Sequence, residues 1–479
     1  MSLSLDPDRD LIAWWPAADE ACVHLLHQIG INALITTTPA AIAACRAAGI
    51  AAIAEIPAEP SEQALAAARE QGFSAAAVSA GSDPKALRDL VRAENGFVSF
   101  VYLKAEQVAL DVTPAFAVVR SGTWPGIHPL DTEVASASEG VWIDANSSLA
   151  AYLRAVYPQR PAILGYRPDE DAGVSANRAV PFESVEIALA DAFAAGGSVI
   201  LSFPEDYKQA LLRGDARALE AWQSLRQVAG FLKQQRAGVR GPAWSRTAVI
   251  AGSLEQSGEV LNLAYRQSLS PKVLPVDRLP ALKPAEIDVI AAVNIPISQD
   301  AARNLLQFAA GGGCVLTTPP PSGSAWWNVP ESRSVRKDKD RDVFAVGLGR
   351  VYAYRGAIDD PGEFALDLRE AAAEKSGPAR GPKNLDIRIW ETGIVLGVLR
   401  HPPGTTQRGG LRRIILVLTN YGSPVGYDFL IGVRGAYRRA AFAQAGEEGF
   451  RPLDAMPRPG RVECNLKDFR RIAIVVFEE

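Results

Sequence analysis

Eight short apolar runs, separated by alanine-rich stretches of helical period, constrain this chain more than any other feature. They cover residues 11–15, 33–37, 51–56, 75–80, 97–103, 141–145, 162–166 and 198–203. Strand-length runs alternating with helical segments are the pattern of βα units around a parallel sheet. A further apolar stretch at 115–120 reads either as an extra strand or as part of a long excursion. The intervening helices are legible by spacing. Cys22, Leu25, Leu26 and Ile29 share one face ahead of Gly30, which closes the helix. Pro181 opens another, which runs through Val185, Ala188, Leu189, Ala192 and Phe193 to Gly196 and Gly197. Trp222, Leu225, Ala229 and Leu232 form the stripe of the last. Eight strands, each followed by a helix or long loop, in roughly 225 residues fit a compact (β/α)8 barrel. An open doubly wound sheet is the alternative.

The rest of the chain changes pattern twice. Residues 237–245, with Gly238, Gly241 and Pro242, read as a linker. Candidate strands at 247–251, 272–276, 288–293 and 314–318 alternate with helices at 258–269 and 299–310, the βαβ rhythm of a flavodoxin-like α/β sheet. Beyond 356, after a helical turn, short strands at 386–390, 394–400, 413–419, 427–433, 462–466 and 472–477 follow one another across Gly/Pro turns. That is the signature of an antiparallel β-sandwich. The expected units are 1–240, 246–355 and 356–479. The charge-dense segment 333–342 alternates in sign and reads as a solvated loop.

Composition excludes several functions. Apolar residues make up 48% and charged residues 22% of the 479 positions, an ordinary globular balance. Fifty basic residues against 54 acidic ones leave a net charge of −4 with no dense positive stretch, so no nucleic-acid partner is expected. There is no apolar run long enough for a membrane span. Cys22, Cys45, Cys314 and Cys464 are scattered without a CxxC and read as reduced core thiols. The four histidines form no HExxH, and no phosphate-binding GxxxxGK[ST] occurs. No metal or other cofactor is therefore expected. The first residues lack a basic-then-apolar leader pattern, which leaves the compartment, cytoplasmic or exported, open.

A barrel fixes the active face at the C-terminal ends of its strands. The residues expected there include Trp14 and Trp15 after the first run and Glu55 in the third. Asp144 and Asn146 close the run at 141–145, Arg167 follows the seventh, and Glu205 and Asp206 follow the eighth. Arg120 and Trp124 lie in the excursion, where Pro125 and Gly126 pin the tryptophan. Carboxylates, guanidinium groups and tryptophans together are the chemistry of a sugar site: aromatic faces stack on pyranose rings, and paired acids cleave glycosidic bonds. Asp144, ending an apolar strand, is the sharpest catalytic candidate, paired with Glu55, Glu205 or Asp206. The simpler alternatives are a helix-capping role for Asp144, first-turn helix acids at Glu205 and Asp206, a solvated loop for Glu55, a core cover for Trp124 and an ion pair for Arg167.

In the middle region a class I glutamine amidotransferase would need a cysteine at the elbow after the strand at 288–293. Asn294 stands there, and no histidine lies between 245 and 355. The order barrel, catalytically empty amidotransferase-like domain and β-sandwich resembles the organisation of family 42 β-galactosidases. Val289-Ile290-Ala291-Ala292-Val293-Asn294-Ile295-Pro296, Gly311-Gly312-Gly313-Cys314-Val315-Leu316-Thr317 and Leu416-Val417-Leu418-Thr419-Asn420-Tyr421 carry the likeness. The resemblance implies a carbohydrate substrate or ligand and a homo-oligomer formed through the middle domain. It does not extend to the catalytic Asn-Glu pair of such enzymes after the fourth strand, because this chain has no Asn-Glu dipeptide and its fourth run ends Val78-Ser79-Ala80-Gly81-Ser82-Asp83. Two functions follow: a glycoside hydrolase acting on an oligo- or polysaccharide, or a carbohydrate- or partner-binding protein that cleaves nothing.

Overall fold

The computed structural model describes residues 5–56, 60–94, 96–121, 123–128, 142–166, 180–239, 241–320, 325–375, 385–402 and 413–479. In the first part, strands β1 (Ile12–Trp14), β2 (Ala33–Thr36), β3 (Ala51–Ile56), β4 (Ala75–Ser79), β5 (Val98–Leu103) and β6 (Phe116–Val119) are followed by a hairpin of β7 (Gly126–His128) and β8 (Trp142–Asp144), then by β9 (Ile163–Gly165) and β10 (Ser198–Ser202). Eight of these close a barrel in the order β1-β10-β9-β6-β5-β4-β3-β2. Its neighbouring strands all run parallel.

Alternate residues divide the barrel into two apolar layers, as the pleat requires. Ile12, Trp14, Ala33, Ile35, Ile53, Ala75, Ala77, Phe100, Tyr102, Val118, Ile163 and Ile200 fill the lumen. Their neighbours Ala13, Trp15, Leu34, Ala54, Val101, Val119, Leu164 and Leu201 face the helices. Three large aromatic side chains fit the lumen because alanine or glycine occupies many facing positions. Asp19 and Asp83 cap the helices Glu20–Gln28 and Pro84–Ala93, accepting backbone N–H bonds from Cys22 and from Lys85 and Ala86.

The sixth barrel strand corrects the sequence reading. It is Phe116–Val119, the stretch left open as an excursion, while Trp142–Asp144 belongs to no barrel strand and pairs antiparallel with Gly126–His128. Both stretches have strand-like composition. The connection between β5 and β6 carries only the single turn Ala105–Gln107 instead of a helix, so helical period could not separate the two. The hairpin packs outward: Ile143 and Ala145 meet Ile187 of helix Ser184–Ala194 and Leu396 and Tyr421 of the C-terminal sheets.

The middle sheet has seven strands in the order Lys272–Pro275, Thr247–Ala251, Val289–Ala292, Cys314–Thr317, Gly349–Tyr354, Arg341–Val346, Ser332–Lys337. The first five are parallel and the last two antiparallel. The segment read as a solvated loop is thus largely two strands. Its outer strand is exposed along most of its length, which explains its charge. Helix Pro361–Lys375 sets Phe364, Leu368, Ala371 and Ala372 into the same core as Val249, Val289 and Ala291. Asn294, at φ 55°, forms the elbow and exchanges both side-chain hydrogen bonds with the backbone of Ile358.

Two antiparallel sheets of four and five strands complete the chain. They enclose a core that includes Phe429, Phe442, Phe469 and Phe477. Arg439–Gln444, Arg451–Leu453 and Met456–Arg458 join them as unanticipated strands. The last two are three residues long and mostly exposed, and so lack an apolar run. All eleven residues of helix Ser184–Ala194 are buried between barrel and sandwich. Glu186 accepts a 2.7 Å bond from Arg471 Nε and a 2.5 Å bond from Ser224 Oγ. Arg471 Nη1 also donates to the carbonyls of Asn420 and Gly422. All four cysteines are buried, with no disulfide among the described residues. No described helix is long and apolar enough to cross a membrane.

Candidate functional site at the barrel mouth

The register of the strands assembles one polar layer above the apolar lumen. Trp14 ends β1, Glu55 is next to last in β3, Tyr102 next to last in β5, and Arg120 directly follows β6. Their inward parity follows from Ile12, Ile53, Phe100 and Val118 two residues earlier. The carboxylate of Glu55, 6% exposed, accepts a 2.7 Å hydrogen bond from Trp14 Nε1 at Oε2. Arg120 Nη2 approaches Oε1 at 3.4 Å. The Arg120 guanidinium lies over the Tyr102 ring, 3.2 Å from its centroid, a cation–π arrangement. Gly165 on β9 makes room for Val118 of the neighbouring strand: a Cβ there would stand 2.9 Å from Val118 Cγ1, and 3.6 Å from Arg120 Cγ.

Helix Glu205–Leu212, which begins just beyond β10, adds a second group. The buried Lys208 reaches Glu205 Oε2 at 2.6 Å, and its ammonium stands 5.7 Å from the centroid of the Trp14 ring. Partial burial opposes ionisation of Glu205, but Lys208 and Gln209 outweigh it and hold its pKa below the ordinary value. Trp14 therefore touches both charge clusters, with Glu55 below its indole nitrogen and Lys208 over its face. Asp206 is exposed and accepts the N–H of Tyr207.

The other candidates lie elsewhere. Asp144 sits in the hairpin on the flank of the barrel, 3.4 Å from Arg266 of helix Leu254–Arg266 in the middle region. The expectation that it ends a barrel strand fails because 141–145 is not one. Trp15 points out of the lumen into the helical shell and meets Phe203, with ring centroids 5.5 Å apart; strand parity places it opposite Trp14. Trp124 is buried against Tyr166, centroids 4.8 Å apart and nearly parallel, and so covers core. Asn146 is the N-cap residue of helix Ser147–Val156, and its Nδ2 donates to Tyr166 Oη and the carbonyl of Thr123. Arg167 lies outside the described residues.

Sequence reasoning missed Tyr102, Gly165 and Lys208. Parity counted from the apolar lumen residues would have found the first two, and the i,i+3 spacing from Glu205 the third. It also missed Asp191, a fully buried carboxylate on helix Ser184–Ala194 that faces the start of helix Ser147–Val156. Asp191 accepts bonds from Asn146 N at 2.5 Å, Ser147 Oγ and Tyr421 Oη at 2.7 Å. Burial raises its pKa, and those bonds offset part of the shift. Among the described residues no group of three or more His, Cys, Asp or Glu side chains could hold a metal.

Comparison with solved structures bears on the architecture. The fold matches the α-L-fucosidase isoenzyme 2 of Paenibacillus thiaminolyticus at a TM-score of 0.54 and 10% identity, over 98% of this chain and 99% of that one. It matches Gan42B, a GH42 β-galactosidase, at 0.54 and 9% identity, over 99% of both chains. A catalytic mutant of Gan42B, from G. stearothermophilus, gives 0.54 and 10%, over 100% and 99%. The chain has a GH42-like architecture. At such identity the likeness extends to the fold, with its barrel, α/β sheet and β-sandwich in the same order along nearly the whole length. No family model and no curated protein matches the sequence.

Proposed function

We propose that the chain is a glycoside hydrolase-type enzyme that acts on an oligo- or polysaccharide at the C-terminal mouth of the barrel. Glu55 is the reacting carboxylate. The single observation that carries this reading is the clasp on Glu55: a lumenal carboxylate oriented by an indole N–H and a guanidinium, on the barrel face where active sites form. A carboxylate so fixed suits attack on, or charge stabilisation of, an oxocarbenium-like anomeric carbon. Glu205, kept ionised by Lys208, suits removal of a proton from water. Trp14 and Tyr102, 9% and 5% exposed, form the aromatic walls beside Glu55. The fucosidase and β-galactosidase matches support the substrate class without naming the sugar.

The test is turnover of a panel of aryl glycosides by the wild type and by Glu55→Gln, with folding checked by circular dichroism. Glu55→Gln should lose about 10²- to 10⁴-fold in kcat, whereas Asp144→Asn should retain turnover. Unchanged turnover in Glu55→Gln defeats the assignment. A second reading, a barrel that binds sugar without cleaving it, draws on the pairing of Glu55 with Arg120. It expects saturable glycan binding by the wild type, weakened by Trp14→Ala, with no turnover on any substrate.

A further inference from the structure

At the opposite end of the barrel, arginines converge on a cavity of about 140 Å³ lined by Asp8, Arg154, Phe193, Gly196, Gly197, Arg236, Val239 and Arg400. One water needs only about 10–15 Å³ of such space, so the cavity has room for a polyatomic ion. Arg400 is 2% exposed. Its Nε and Nη1 donate to the carbonyls of Val239 and Ala194. Arg154 Nη1 donates to the carbonyl of Gly196 at 2.5 Å. Neither Arg154 nor Arg400 forms an ion pair with a carboxylate among the described residues. Burial lowers the pKa of Arg400 to about 10, with Arg154 adding to the shift and Tyr265 opposing it. Arg236 donates to Asp8 O and to Ser198 Oγ.

Two accounts compete for this cluster. In the first, the arginines merely cap the C-terminal end of helix Ser184–Ala194, where cations are favoured. That account explains one guanidinium, but it leaves the other two beside a cavity whose lining, among the described residues, holds a single carboxylate, Asp8. Gathering like charges around empty space costs free energy unless an anion occupies it. A larger groove of about 430 Å³ adjoins, sharing Asp8 and Arg154 and continuing past Pro7, Phe116, Pro158 and Arg160.

We propose that this cavity on the N-terminal face of the barrel binds an oxyanion, a phosphate, sulfate or carboxylate group, through Arg154, Arg236 and Arg400. The adjoining groove is open to the remainder of an organic ligand. The site is separate from the mouth, so this inference stands or falls independently of the proposed function. Asp8 opposes the anion and sets its affinity.

The experiment is titration of the full chain with sodium sulfate, inorganic phosphate and a monosaccharide phosphate, each against sodium chloride of matched ionic strength. Thermal stability and calorimetry give the readout. Saturable binding is expected for the wild type, weakened at least tenfold in Arg154→Ala and strengthened severalfold in Asp8→Asn. The Asp8→Asn gain cannot arise from misfolding, which keeps the test sound if Arg154→Ala is unstable. Tighter binding of the sugar phosphate than of the free ions assigns an organic ester as the ligand; equal or weaker binding assigns the inorganic ion. No saturation beyond the chloride control, or identical affinities in all three proteins, overturns the proposal.

Discussion

Replacing Arg471 by methionine should loosen the junction between barrel and sandwich more than any exposed substitution. The Glu186 and Arg471 side chains are 4% and 6% exposed and 2.7 Å apart. The substitution removes the guanidinium and leaves a carboxylate buried with Ser224 as its remaining named donor. It also strips the carbonyls of Asn420 and Gly422 of a charged donor. Breaking a buried pair from one side costs about 3–5 kcal/mol. The double variant Glu186→Met, Arg471→Met removes the stranded charge and should return to within about 3 kcal/mol of wild type, the residue being the unpaired Ser224 and two carbonyl groups at about 1 kcal/mol each. Because a chain with three sheets need not unfold in one step, the suitable assay is native-state hydrogen exchange read on the amides of helix Ser184–Ala194. A loss of 3–5 kcal/mol corresponds to roughly a 10²- to 10³·⁵-fold faster exchange at about 1.4 kcal/mol per decade. A single variant that exchanges within fivefold of wild type, or a double variant as fast as the single, would refute the reasoning.

Gly165→Ala should cost about 1–3 kcal/mol through overpacking against Val118 and, because Val118 lies two residues before Arg120 on the same stretch of wall, lower any turnover or glycan binding; a denaturant melt and the glycoside assay read both. Tyr421→Phe removes a donor to the buried Asp191 at a cost of about 1.5–3 kcal/mol. Because the folded pKa of Asp191 is raised, its stabilising contribution is complete below the ordinary carboxylate value and fades as pH rises through the folded pKa. The hydroxyl supports the ionised form, so the Tyr421→Phe penalty should be larger at pH 7 than at pH 4, and a flat profile would contradict it. Asp288 has the opposite sign. Burial works against its ionisation, but Arg246 and Arg434 prevail and lower its pKa, so its contribution is present above the ordinary value of 3.8 and disappears as pH falls through the folded pKa. Arg434→Met should therefore move the acid-unfolding midpoint upward.

The barrel was legible in the sequence because each strand is short, apolar and mostly followed by a helix with a clear stripe. The α/β sheet and the sandwich were legible for the same reason, down to Val289–Ala292 and Arg413–Asn420. Residue pairing was not. A three-residue strand such as Trp142–Asp144 has the same composition whether its partner is a barrel strand or a hairpin arm, and the sixth position was consequently misassigned. For the candidate site, Trp14, Glu55 and Arg120 were named from their positions near strand ends, and the structure brings them together. Their contacts depend on parity around a closed sheet, which a linear reading of polar residues ignores. Trp15 shows the cost: one residue along a strand exchanges lumen for shell. Asp191 and Glu186 escaped notice because their partners, Tyr421 and Arg471, lie more than 200 positions away.

The all-round burial of helix Ser184–Ala194 limits how modular this architecture can be. Cut at the linker, the N-terminal half would carry two carboxylates, at 186 and 191, on a surface shaped for the sandwich, together with the apolar side chain of Ile187. A transplanted mouth would thus arrive with an aggregation-prone, charge-bearing flank, and recombining this barrel with a foreign C-terminal half would require redesigning that one helix before anything at the barrel mouth could be judged.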